Sequence, residues 1–225
     1  MADNIIKLIP RPTPTFVENA RIREAMESLK NHNQVDQVLE ALWRKDPYSY
    51  GHSHRVADFS QWIGREMGLS NQERVELYIC GLLHDVGKIM SPDAVLKKPG
   101  PLTSDEFAIM RLHPVDSGKI VNTFSDLAYL VDPIRGHHER IDGKGYPDQK
   151  VGDDIHIFSR IILVADTFDA MTSTRVYRKG LDLSRTYEEL LRCSGTQFDP
   201  AAVDAFIAVH QKILQDNVGT SKIAA

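Results

Sequence analysis

Residues 70–89 read SNQERVELYICGLLHDVGKI, and this stretch decides the fold. Ser70 stands three residues before Glu73. That is the pattern of a capping box, in which hydroxyl and carboxylate reach reciprocally for the backbone N–H groups that a first helical turn leaves unpaired. Val75, Tyr78, Ile79, Leu82 and Leu83 then recur at helical spacing. The spacing predicts a buried helix that runs straight into His84 and Asp85. An imidazole and a carboxylate at the end of such a helix need partners, because burying them alone is costly.

The same periodicity extends in both directions. Ile22, Met26 and Leu29 mark one helix, and Val35, Val38, Leu39, Leu42 and Trp43 a second. A third is expected from about Ser49 to Met67, with Val56, Phe59, Ile63 and Met67 on one face and Gly68 ending it. Thr103 and Glu106 form a second capping box ahead of Phe107 and Met110, and Pro114 marks a break or restart. Leu127, Leu130, Val131 and Ile134 lie on a helix that arrives at His137. Gly143 to Pro147 is turn chemistry. Ile157, Ile161, Val164, Phe168 and Met171 give a long apolar stripe. Asp199-Pro200 is an N-cap followed by proline at the first helical position, ahead of Val203, Phe206 and Ile207.

No segment alternates with period two, and there is no fixed repeat or low-complexity tract. The fold class expected is all-α, a helical bundle. Residues 1–45 read as a lead-in and helical extension, its first fifteen residues made poor helix by Pro10, Pro12 and Pro14. Residues 46–215 read as the main domain and 216–225 as a flexible C-terminal tail. The extension is either a cap on the domain or a dimerisation element, and the cap is the plainer reading.

Composition excludes several classes. A chain of 225 residues with 42% hydrophobic residues and a net charge of −4 suits an ordinary folded protein, not a disordered one or one that coats nucleic acid. Cys80 and Cys193 are too few for a disulfide framework. No apolar run approaches the roughly 20 residues of a spanning helix. The first residues carry no basic-then-apolar export signal. Together these give a cytoplasmic expectation.

The unusual feature is nine histidines. His52 lies in register with Val56, Phe59 and Ile63, His113 stands at a helix end before Pro114, and His137-His138 follow an apolar helix. Asp166 interrupts the apolar run from Ile161 to Phe168. Any one of these is more often a hydrogen-bonded core residue than a ligand. Five inward histidines and two inward aspartates together are costly to bury without a cation. A metal suits them, since neutral imidazole is a common ligand and a carboxylate can bridge two ions. They would converge only in a bundle core. His32, His54, His156 and His210 read as surface or packing residues.

The ordered set LHDVGKI (83–89), HHER (137–140) and DGKGYP (142–147) closely resembles the HD-GYP family, within the wider HD domain superfamily of metal-dependent phosphohydrolases. The resemblance runs from about Pro47 to Phe206 and also takes in residues 50–56, 96–103, 164–173 and 195–200. It implies an HD-type bundle and a phosphodiesterase that hydrolyses cyclic di-GMP to pGpG, and in a second round to GMP, with a metal-bridging hydroxide attacking phosphorus. It implies His52, His84, Asp85, His113, His137, His138 and Asp166 as metal ligands, with Asp85 bridging two divalent ions, iron or manganese. It implies Lys88 at the scissile phosphate as a catalytic group beside Asp85, and Arg175 and Arg178 on the ligand's phosphates. Gly145, Tyr146 and Pro147 would be the family's loop, with Tyr146 near a guanine or against a signalling partner of GGDEF type; simple turn packing is the plainer role. Where some relatives carry a glutamate that serves a third metal, this chain has Tyr48, so two ions are expected. A non-catalytic cyclic di-GMP sensor and a hydrolase of 3′,3′-cyclic GMP-AMP remain open alternatives.

Overall fold

The structure is a computed structural model that describes residues 32–174 and 179–221. The expected helix around Ile22–Leu29 and its proline-rich lead-in lie outside the described residues, as do Arg175, Arg178 and residues 222–225. Among the described residues every regular element is helical, and the only β pairings are the isolated bridges Asp142–Val151 and Ser194–Phe198.

In chain order the α-helices are α1 (His32–Lys45), α2 (Pro47–Glu66), α3 (Asn71–Leu83), α4 (Asp93–Leu96), α5 (Ser104–Met110), α6 (His113–Val121), α7 (Val131–Arg135), α8 (Ile157–Thr172), α9 (Leu183–Cys193) and α10 (Pro200–Ser221). A 3-10 turn, Val86–Met90, follows α3, and two shorter ones precede α7 and α8.

The start signals act as their chemistry dictates. Both capping boxes form: Glu73 N–H donates to Ser70 Oγ over 3.3 Å while Ser70 N–H donates to Glu73 Oε2 over 2.8 Å, and Thr103 with Glu106 repeats the arrangement. Asp199 Oδ1 accepts from Ala201 N–H at the head of α10. Helix α2 begins earlier than the periodicity indicates, because Asp46 accepts from Tyr48 N–H and Pro47 occupies the first turn.

Helices α2, α3 and α8 form the centre, α6 packs on α7 and on the 3-10 turn, and α10 lies across α2 and α8. Val56, Ile63, Leu77, Leu83, Ile134, Ile161, Val164 and Phe206 are fully buried there. The α2–α3 crossing is close enough that a Cβ on Gly81 would sit 2.6 Å from Ala57 Cα, so glycine is required.

Three differences from the sequence pattern have physical causes. The helix expected to arrive at His137 is broken into a 3-10 turn and the short α7, which ends at Gly136, so His137 and His138 stand in a turn. Trp43 is exposed, because α1 turns Val35, Leu39 and Leu42 inward instead. Those three join the same core as α2 and α3. Helix α10 continues past residue 215 to Ser221, there being no proline or glycine before Gly219 to stop it. No helix among the described residues is long and apolar enough to cross a membrane.

Candidate metal centre

Five elements deliver seven side chains to one buried place. His52 comes from the inner face of α2, and His84 and Asp85 follow α3. His113 opens α6, His137 and His138 follow α7, and Asp166 lies in mid-α8. Two groups have ligand atoms all within 4.8 Å of one another: His52, His84 and Asp85, and His113, His137 and His138. Asp85 faces both, with Oδ1 3.2 Å from His113 Nε2 and Oδ2 3.4 Å from His84 Nε2 and 3.7 Å from His52 Nε2. Asp166 spans them too, its Oδ1 3.0 Å from His52 Nε2 and its Oδ2 4.0 Å from His138 Nδ1.

The backbone sets how the rings face. Nδ1 of His84, His113 and His137 each lies 2.7 Å from the carbonyl oxygen three residues back, on Gly81, Met110 and Ile134. A carbonyl accepts only, so Nδ1 carries the proton and Nε2 presents its lone pair inward. His52 is held by a carboxylate, with Nδ1 2.6 Å from Asp169 Oδ2. Asp169 also accepts from Arg55 Nε over 2.6 Å and Arg55 Nη2 over 3.0 Å.

This donor set fits a cation. His84 Nε2 is buried without a hydrogen-bond partner. His113 Nε2 and His137 Nε2 lie 3.1 Å apart with both protons on the far side of their rings, so two lone pairs face each other. Burial holds His84 and His137 below the usual imidazole range, and burial with the neighbouring His113 pushes His138 down to about 3, which keeps these rings neutral as ligation requires. Burial alone would lower His52, but Asp166 and Asp169 outweigh it and raise it to about 10. Burial likewise opposes the charge on Asp85, yet the Lys88 ammonium beside it keeps it an anion. These are residues that could hold divalent metal.

Around the ligands, Ser117 Oγ donates to His84 O and accepts from Gly87 N–H. A Cβ on Gly87 would overlap the His113 carbonyl oxygen, so glycine lets the 3-10 turn lie against α6. Lys88 Nζ contacts Asp85 Oδ2 at 2.5 Å. The glycine-tyrosine-proline loop returns to the same place. Gly145 packs on the backbone of residues 138–140, Tyr146 N–H donates to His138 O, and the Tyr146 ring stacks on His138 with centroids 4.8 Å apart. Glu139, fully buried, accepts from the N–H groups of Asp148, Gln149 and Lys150 and so fixes the chain just beyond the loop.

Asp169, Arg55, Ser117 and Glu139 were not singled out by sequence reasoning. Asp169 had a signal, since it stands one helical turn after Asp166 on an apolar helix. Of the remaining histidines, His156 accepts from Phe158 N–H at the start of α8, His54 packs edge-on to Tyr50, and His210 packs among Phe59, Phe168 and Phe206. His32 opens α1.

A family model described as an HD domain matches residues 36–202. The chain belongs to the HD domain family. Among curated HD relatives it is 37% identical to a cyclic di-GMP phosphodiesterase of Thermotoga maritima, over 80% of this chain and 50% of that protein. It is 35% identical to the cyclic di-GMP phosphodiesterase response regulator RpfG of Xanthomonas campestris, over 79% and 48%. It is 31% identical to the 3'3'-cGAMP-specific phosphodiesterase 1 of Vibrio cholerae, over 93% and 47%. The chain thus spans about half the length of the curated relatives it matches. In structure it is similar to an HD-GYP-type protein of Bdellovibrio bacteriovorus, with TM-score 0.61 and 16% identity over 87% of this chain and 59% of that one. The HD domain of the phosphodiesterase PgpH from L. monocytogenes, solved with cyclic-di-AMP, gives TM-score 0.55 at 19% identity over 79% and 96%. The resemblance to the HD-GYP group and the all-α HD fold are both borne out.

Proposed function

We propose that this chain is a metal-dependent phosphodiesterase that opens cyclic di-GMP to linear pGpG and then to GMP. The observation that carries the proposal is the pair of ligand groups sharing Asp85 and Asp166 across one buried centre. The names of the relatives support the substrate class. Since some are specific for 3'3'-cGAMP, that dinucleotide is the second reading.

We infer two ions, iron or manganese. His52, His84 and Asp166 would hold one and His113, His137 and His138 the other, with Asp85 between them. Divalent ions so held supply Lewis-acid charge and an activated water. The chain's own groups do the rest. Lys88, tethered to Asp85, offers a cation where charge builds on phosphoryl oxygens. Arg175 and Arg178, outside the described residues, are assigned to the ligand's phosphates, where a guanidinium fork suits the oxygens. Asp169 keeps His52 in one tautomer. Tyr146 walls the centre beside His138 and is the loop's candidate contact for a GGDEF-type partner. Tyr48 stacks parallel to His52 with centroids 6.2 Å apart, and a phenol is a poor substitute for a carboxylate as a metal ligand, which supports two ions rather than three. The catalytic unit is residues 46–215 with the N-terminal helical extension as its cap, and a homodimer through the N-terminal helices is the other reading of that extension. The free cysteines Cys80 and Cys193 agree with a cytoplasmic site of action.

The test pairs elemental analysis of anaerobically purified protein with product analysis on cyclic di-GMP and 3′,3′-cyclic GMP-AMP. Two ions per chain and pGpG from cyclic di-GMP are expected, and a His84→Ala, Asp85→Ala double variant should lose both. Unchanged turnover in that variant overturns the site, and three fully occupied ions overturn the count.

A further inference from the structure

Beside the His138 side of the centre lies a cavity of about 290 Å³. This is the small end of the range for ligand pockets, about 300 Å³, so it holds part of a dinucleotide rather than all of it. Its walls are of two kinds. Phe107, Leu163 and the Tyr146 ring are apolar or aromatic. Arg111, Lys144 and Gln197 bring N–H groups, and no carboxylate lines it among the described residues.

The two arginines of this cavity differ. Arg140 is spent, holding Asp142 through Nε and Nη2 at 2.9 and 2.6 Å and Gln197 Oε1 through Nη1 at 3.2 Å. That last bond occupies the Gln197 carbonyl and leaves its amide N–H groups as the free end. The Arg111 guanidinium lies over the Tyr146 ring, 4.6 Å from its centroid, and makes no ion pair among the described residues. An arginine laid on an aromatic ring is oriented while its N–H edge stays unspent.

A cavity with apolar and aromatic walls on one side and side-chain N–H groups on the other fits a purine whose exposed edge carries acceptors. Guanine presents O6 and N7, both acceptors, to a guanidinium fork. Adenine presents N7 beside an N6 donor, which opposes a second N–H. We propose that Arg111 is a substrate-binding residue that reads the O6/N7 edge of a guanine seated in this cavity, and so sets this chain's preference for guanine over adenine. The inference rests on the cyclic dinucleotide reading above and adds to it the residue that chooses the base.

The experiment compares wild type with Arg111→Ala and Arg111→Lys, after checking that metal content is equal. Calorimetric binding of 5′-GMP and 5′-AMP is measured first, since it needs no turnover. kcat/KM for cyclic di-GMP and cyclic di-AMP follows. Wild type should bind GMP more tightly than AMP by about tenfold, the scale of one bidentate arginine–guanine pair. Arg111→Ala should lose that ratio, and Arg111→Lys should keep part of it, since an ammonium also donates to O6 and N7. Equal binding of GMP and AMP by wild type overturns the proposal. So does a ratio that survives in Arg111→Ala. A wild type that prefers GMP yet opens none of cyclic di-GMP, cyclic di-AMP and 3′,3′-cyclic GMP-AMP overturns the phosphodiesterase reading and leaves the guanine site standing.

Discussion

Asp169 divides its two oxygens between an imidazole and a guanidinium, so one buried carboxylate both orients His52 and neutralises Arg55. Burial would raise its pKa, but His52 and Arg55 hold it down as an anion. Asp169→Asn keeps the shape and removes the charge. We expect metal affinity to fall about 10- to 100-fold, the usual cost of losing a group that orients a ligating histidine, with turnover recovering at saturating manganese. Manganese titration followed by assay checks this; an unaltered affinity would remove Asp169 from the positioning role. The residue also shows where sequence reading stops. His84, Asp85 and Asp166 stand out because polar groups break apolar runs. The partners of His52 lie 117 residues away in the chain, and no local pattern announces such a pairing. Ser117 and Glu139 escaped for the same reason, being ordinary residue types whose hydrogen bonds depend on packing.

Elements were legible where their ends carry their own chemistry. The helices begun by Ser70, Thr103 and Asp199 start at those residues because a side chain satisfies backbone N–H groups there. The α7 region was misjudged in length because Pro133 and Gly136 compete with an apolar repeat, and the repeat loses. The 3-10 turn after α3 had no periodic signal at all, yet it carries Lys88 and sets the spacing between His84 and α6. Its contact with α6 is tight at Gly87, where a Cβ would overlap the His113 carbonyl and lie 2.5 Å from Ser117 N. Gly87→Ala should therefore cost about 3 kcal/mol, as forced overpacking does, and lower metal content with it. Urea unfolding with elemental analysis tests this, and a fully stable variant with full metal would show that α6 yields freely.

At the scale of the whole molecule, α2, α8, α9 and α10 meet at His210, which lies edge-on to Phe59 and Phe168 and stacked on Phe206, with Nδ1 2.6 Å from the Tyr187 hydroxyl. Burial lowers its pKa to about 4 from 6.5. The folded form thus resists a proton that the unfolded chain accepts. Its contribution is complete above pH 6.5 and is lost as pH falls from there toward 4, by up to about 3 kcal/mol. His210→Gln, which keeps a partner for Tyr187 but does not titrate, should show a shallower loss of melting temperature across that window. Equal slopes in the two proteins would place the acid sensitivity elsewhere. Bundle class and core stripe were readable from periodicity alone. Which helix faces meet at such a junction was not, because it follows from packing between distant segments.

The carbonyls of Gly81, Met110 and Ile134 belong to the last turns of α3, α5 and α7, where a helix has no further N–H to offer its own oxygens. The three imidazoles that occupy them are therefore C-terminal stoppers of those helices as well as inward-facing donors. Fraying and metal release would then be one event: a helix that loses its last turn swings a ligand away, and the two ions between them would pin three helix ends. Hydrogen exchange at those three ends should slow together when metal is added, even though the ends are far apart in the chain.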